Sequence, residues 1–116
     1  MLKIYGIPNC DTVQKAIKWL KTNEIEFEFH DFKKEGITEK KINEWIKKAP
    51  IDKLLNKVSA TFKAIPTDEK PINEQETVAL MVSKPSCIKR PVIEMGKKVL
   101  VGMDLVVYEK EILGKK

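Results

Sequence analysis

Cysteine, histidine, arginine and long apolar runs are all scarce in this chain, and each shortage removes a class of function. Of 116 residues only two are cysteine, Cys10 and Cys87. They stand far apart, which is not the spacing of a secreted disulfide framework, so a reducing, cytoplasmic setting is expected. No apolar stretch is long enough to cross a bilayer, and no charged-then-apolar leader opens the chain; no membrane role is expected. The single histidine, His30, has no Cys or Glu at ligand spacing, so no metal site is expected. On the polar side of a strand, it reads as a satisfied strand-end histidine rather than a catalytic base.

The charge is plentiful but of one kind. The net charge is +5, and of 22 basic residues all but Arg90 are lysine. The lysines are spread along helices and interleaved with glutamate, as a solvated face would be. No helix-turn-helix, finger or aromatic stacking motif accompanies them, so direct nucleic-acid binding is not expected. Trp19 and Trp45 read as packing residues at helix edges.

What is present reads as one α/β domain over 1–116, with no repeat, low-complexity tract or linker. Leu2 to Tyr5 is a short strand, and Gly6-Ile7-Pro8-Asn9 a tight connection. Val13, Ala16, Ile17 and Leu20 recur at helical spacing. Ile25, Phe27 and Phe29 alternate with Glu26, Glu28 and His30, a half-buried strand over 25–32. Such a β-α-β unit implies parallel strands and a right-handed crossover.

Gly36 then opens a helical stretch. Thr38 is its N-cap, Ile37 and Ile42 form a hydrophobic staple, and Ile42, Trp45, Ile46 and Ala49 are the buried stripe, stopped by Pro50. Ile51 to Leu55 is another short helix. Asn73 to Glu76 resembles a capping box ahead of Val78, Leu80 and Met81. Pro91 to Glu94 and Lys98 to Val101 read as a hairpin joined through Gly96. Asp104 caps a last helix carrying Leu105, Tyr108, Ile112 and Leu113, and Lys115-Lys116 is expected to fray. The order is a thioredoxin-like β-α-β / β-β-α core with a helical insert over about 37–84 between the halves.

Chemistry concentrates at Cys10. A thiol at a strand-to-helix turn lies beside unpaired N–H groups and the positive end of a helix dipole, which favours the reactive thiolate. Its neighbours Pro8, Asn9, Asp11 and Thr12 are loop and cap chemistry, unlike a core cysteine's. Asn9 and the first amides are expected to help hold the sulfur. Asp11 and Thr12 can cap N–H groups, although the Asp11 carboxylate opposes thiolate formation. A CxxC pair would need a second cysteine where Val13 stands, so any redox cycle runs through one thiol. Cys87, a substrate or a small molecule such as glutathione must then resolve it; Cys87 itself reads as a small buried hydrophobe. Arg90-Pro91 is the second informative pair. In this architecture a proline entering the third strand faces the Cys10 turn. It brings Arg90 close enough to stabilise a thiolate and to grip an oxyanion or carboxylate bidentately.

Tyr5-Gly6-Ile7, Asn9-Cys10-Asp11-Thr12, Lys15-Ala16 and Trp19-Leu20 closely resemble the N-terminal signature of the ArsC/Spx family, most of all its YffB-type members. The match continues through His30-Asp31, Leu54-Leu55-Asn56, Ile88-Lys89-Arg90-Pro91 and Val101-Gly102, essentially the whole chain. The resemblance implies a thioredoxin-like core with an all-helical insert and a cis bond at Arg90-Pro91. It implies a single-cysteine, glutathione-dependent thiol reductase with Cys10 as nucleophile and Arg90 beside it. Asn9, Asp11, Thr12 and Pro91 would line the substrate site. No bound cofactor is implied; glutathione is the expected co-substrate, glutathione or glutaredoxin the expected partner, and a monomer the expected state.

Two other activities occur in such a family. Glutaredoxin-coupled arsenate reductases add three arginines to the cysteine, and here Asn56 and Val101 stand where two of them would be. Losing those contacts to a doubly charged anion costs about 1.5–3 kcal/mol for each charge-assisted hydrogen bond, and Lys57 or Lys63 would lack the planar fork. Spx-type regulators bind RNA polymerase and usually carry the CxxC switch that Val13 removes.

Overall fold

The computed structural model describes residues 2–114; the expected fraying of Lys115-Lys116 lies outside them. Four strands form one mixed sheet in the order β2-β1-β3-β4. Strand β1 (Leu2–Gly6) leads into helix α1 (Asp11–Thr22) and strand β2 (Phe27–Asp31), which pairs parallel to β1 with Leu2 opposite Phe27. Strand β3 (Val92–Met95) runs antiparallel to β1, and β4 (Lys98–Val101) closes the hairpin through Gly96 at φ +59°. A final helix, α7 (Leu105–Glu111), is capped by Asp104, whose carboxylate accepts from the Val106 and Val107 amides.

Between β2 and β3 lie α2 (Phe32–Glu35), α3 (Glu39–Ile46), α4 (Ile51–Leu54), α5 (Ala60–Lys63) and α6 (Glu74–Ser83). The caps at Thr38 and Asn73 form as the sequence indicates, accepting from Lys41 N and Glu76 N. Glu76 reaches back to the Ile72 amide at 3.3 Å, one residue earlier than a standard capping box. Three expectations need correction. The second strand stops at Asp31, because that side chain accepts from Lys33 N and caps α2. Gly36 consequently ends a helix, at φ +65° where only glycine is unstrained, instead of opening one. The last helix stops at Glu111, with Ile112 as its C-cap, so Ile112 and Leu113 follow it instead of riding on it.

Alternation along the strands separates two cores. Ile4 and Ile93 point to a layer with Ala16 and Leu20 of α1 and Tyr108 of α7. Tyr5 and Val92 point the other way, into a larger cluster with Ile42 and Trp45 of α3, Leu54, Met81 and Cys87. Full burial of side chains this size contributes about 1.5–3 kcal/mol each. The insert is therefore a packed layer of the domain.

One carboxylate ties that layer to the sheet. Glu94 accepts from Tyr5 Oη at 2.6 Å, Trp45 Nε1 at 2.8 Å and Lys41 Nζ at 3.1 Å. Burial alone would raise its pKa; the Tyr5, Trp45 and Lys41 donors more than offset this and hold it below the usual value. Tyr5 and Trp45 are each 1% exposed, so neither can turn to water for a partner.

Glu94→Ala should therefore cost about 2–4 kcal/mol in urea denaturation, since two buried donors lose their acceptor. A loss below about 0.5 kcal/mol would mean that the contacts are incidental. A carboxylate with a depressed folded-state pKa stabilises above its unfolded pKa and loses that contribution as pH falls through the folded value. The gap between wild type and Glu94→Gln should thus be full above the unperturbed value of 4.5 and close on acidification below it.

Candidate active site

Cys10 is the N-cap of α1, in extended backbone at φ −97° and ψ 126°. The connection is tight because Gly6 allows it: a Cβ there would lie 2.6 Å from Val13 Cγ2. The first turn of α1 thus rests directly on the end of β1, with Val13 fully buried. The loop is pinned by Cys10 N donating to Ile7 O at 3.3 Å and Gln14 Nε2 donating to Pro8 O at 2.8 Å.

The sulfur lies 3.1 Å from Thr12 Oγ1, and the same hydroxyl is 3.3 Å from the Arg90 carbonyl. A hydroxyl carries one proton. With a neutral thiol it donates to the Arg90 carbonyl and accepts from S–H; with a thiolate it turns its proton to sulfur and gives up the longer bond. Partial burial pushes the Cys10 thiol up. The Thr12 hydroxyl, the Val13 and Thr12 amides and the Arg90 charge together outweigh that, leaving the pKa below its ordinary value. Asp11 and Asn9 are both exposed, and neither is among the groups acting on the sulfur.

Arg90 reaches this place through a clamp between two distant segments. Asn56 N donates to Cys87 O and Lys89 N to Leu54 O, each at 2.7 Å, around a bridge pairing Leu55 with Ile88. The Arg90-Pro91 bond is cis. The guanidinium donates from Nη1 to Ser86 O at 3.2 Å, and its buried Nε has no partner among the described residues.

The other sequence candidates fall outside this cluster. Cys87 is fully buried, and burial pushes its thiol up despite the Ser59 hydroxyl and the charges of Lys84 and Arg90. His30 donates from Nε2 to Gly36 O at 2.6 Å and stacks on Tyr5 at 4.8 Å, a satisfied structural residue. Asn56 is committed to a turn, its Oδ1 accepting from Val58 N, and Val101 packs partly buried against the insert. No group of three metal-ligating side chains occurs among the described residues. Nor is any helix there long and apolar enough to cross a membrane. Thr12 was legible as a cap residue, but its two-way link between sulfur and the Arg90 carbonyl was not. That link joins positions 78 residues apart.

The sequence pattern of the ArsC family matches residues 5–110. The chain belongs to the ArsC family. A solved YffB protein superimposes with a TM-score of 0.89 at 35% identity, covering 93% of this chain and 96% of that one. A Haemophilus influenzae protein is 33% identical over 94% of this chain and 96% of its own length. The regulatory protein MgsR of Bacillus subtilis is 28% identical over 87% of this chain and 82% of its own length. The thioredoxin-like core expected from element order is the architecture of these ArsC-family structures.

Native protein should take up one equivalent of iodoacetamide, at Cys10, and a second at Cys87 only in denaturant. Labelling of both at similar rates would contradict the burial of Cys87. Thr12→Val removes a hydrogen bond to the charged form, so alkylation at neutral pH should slow about fivefold and its pH midpoint should rise.

Proposed function

We propose that this ArsC-family chain is a single-cysteine thiol reductase that uses glutathione as co-substrate, with Cys10 as nucleophile. The observation that carries the reading is the partly exposed, acidified Cys10 thiol linked through Thr12 to the Arg90 carbonyl, with Val13 where a second cysteine would complete a local pair. The Cys10 thiolate attacks the glutathionyl sulfur of a mixed disulfide, forming Cys10–S–SG and releasing the substrate thiolate, which takes up a proton. A second glutathione, as thiolate, attacks the glutathionyl sulfur of that adduct; the S–S bond to Cys10 breaks, oxidised glutathione leaves and the Cys10 thiolate is restored. Overall the substrate disulfide gains two electrons, and two glutathione units leave as one disulfide.

Arg90 would stabilise the thiolate and pair with a glutathione carboxylate through its unused N–H groups. Thr12 and the first amides of α1 would hold the sulfur, and buried Pro91 would fix the strand entrance. Arsenate is a poorer fit. The positive charge acting on the sulfur comes from one arginine, itself partly committed to Ser86 O, with Asn56 tied into a turn and Val101 apolar.

A regulatory reading has one observation in its favour, the similarity to MgsR. In that case the fold would contact RNA polymerase and Cys10→Ser would leave function intact. A pull-down on the C-terminal domain of the α polypeptide of RNA polymerase would then retain the protein.

Mass spectrometry after incubation with oxidised glutathione should show one adduct, on Cys10. Reduction of a glutathionylated peptide should vanish in Cys10→Ser and fall about tenfold or more in Arg90→Ala, the loss of a charge-assisted contact. An internal Cys10–Cys87 bridge, or turnover no faster than the Cys10→Ser control, would overturn the proposal.

A further inference from the structure

The free edge of the sheet carries a second feature that the thiol chemistry does not use. Gly102 N donates to Pro91 O at 2.8 Å, which makes 91/102 a hydrogen-bonded pair of the β3–β4 ladder. Pairs alternate in an antiparallel ladder, and the register sets Val101 opposite Val92 and Val99 opposite Glu94. Val99 and Val101 therefore aim their N–H and C=O groups away from β3. With β4 last in the sheet order, those groups open on a cleft of about 410 Å³.

The cleft is bounded on one side by Lys48 and Lys53 of the insert and by Lys89, and on the other by Asp104 and Val107. Among the described residues no carboxylate lies within salt-bridge distance of the three ammonium groups. The Lys89 stem passes close to Gly102, its Cε 3.7 Å from where a Cβ would sit. The edge is thus recessed between two walls, cationic on one and carrying a carboxylate on the other.

We propose that β4 is a docking edge for an extended acidic segment of a partner protein, which adds a fifth strand and sets its carboxylates against Lys48, Lys53 and Lys89. Strand addition supplies main-chain bonds to Val99 and Val101, and side-chain alternation supplies selectivity. Acidic residues belong at every second position, facing the insert; uncharged apolar residues belong between them, facing Val107 and away from charge repulsion by Asp104. A second copy of this chain is a poor occupant, because its own lysines would meet these across the seam. The site needs neither the Cys10 thiol nor the reductase reading.

The test is a titration of ¹⁵N-labelled protein with a capped peptide of alternating glutamate and valine. The Val99 and Val101 amide signals should shift, and their hydrogen exchange should slow about tenfold at saturation. Lys48→Glu combined with Lys53→Glu should weaken binding about tenfold. A peptide N-methylated at the pairing amides should lose binding, and so should Val99→Pro, which removes an outward N–H without touching the ladder to β3. Cys10→Ser should bind as wild type does. Undisturbed Val99 and Val101 signals at millimolar peptide would overturn the proposal. So would equal binding of the N-methylated peptide, or self-association of the chain through this edge in sedimentation.

Discussion

A single hydroxyl proton shared between Cys10 and the Arg90 carbonyl is the interaction on which the site depends. Thr12 Oγ1 stands 3.1 Å from sulfur and 3.3 Å from that carbonyl, so the ionisation state of the thiol is coupled to the backbone that delivers the arginine. Everything nearby serves to put that hydroxyl in place. The missing side chain of Gly6 lets Val13 seat the first turn of α1 on β1. The pairing of Leu54 to Asn56 with Cys87 to Lys89 carries the insert's order into the strand entrance. Either support could be lost without removing an atom of the candidate site, yet the sulfur and the Arg90 carbonyl would drift apart.

The insert accordingly bears on the candidate site as well as on stability. Its α3 is fixed to the sheet by the Glu94 carboxylate, which satisfies Tyr5 and Trp45 in the larger core. Its α4 ends at the clamp that leads to Arg90. A half-buried carboxylate with three donors specifies register because the displaced Tyr5 and Trp45 donors, themselves buried, would find no substitute. The arrangement leaves β4 uncovered, which is why one edge of the sheet still has main-chain bonds to offer.

Much of this was readable from local pattern. Cys10 at a strand-to-helix turn followed from apolar spacing, and the Thr38, Asn73 and Asp104 caps from short polar side chains ahead of helical runs. Arg90 was conspicuous as the one guanidinium among lysines. The misread places are those where a polar side chain answers to a neighbour that pattern does not reveal. Asp31 interrupts an alternating strand because it caps a four-residue helix, and Gly36 takes the positive φ that ends it. Glu94 was placed in the hairpin, but nothing in its local pattern announces the bonds it makes to residues 89 and 49 positions away. Periodicity reports which face is buried; it does not report which polar group is waiting there.

The claim that the fold itself acidifies Cys10 is tested most directly by ¹³Cβ-labelled cysteine in an NMR pH titration, read in the native and the urea-unfolded chain. The account predicts a native Cys10 midpoint below the unfolded one, with Cys87 displaced in the opposite direction. A native Cys10 midpoint equal to or above the unfolded value would contradict it.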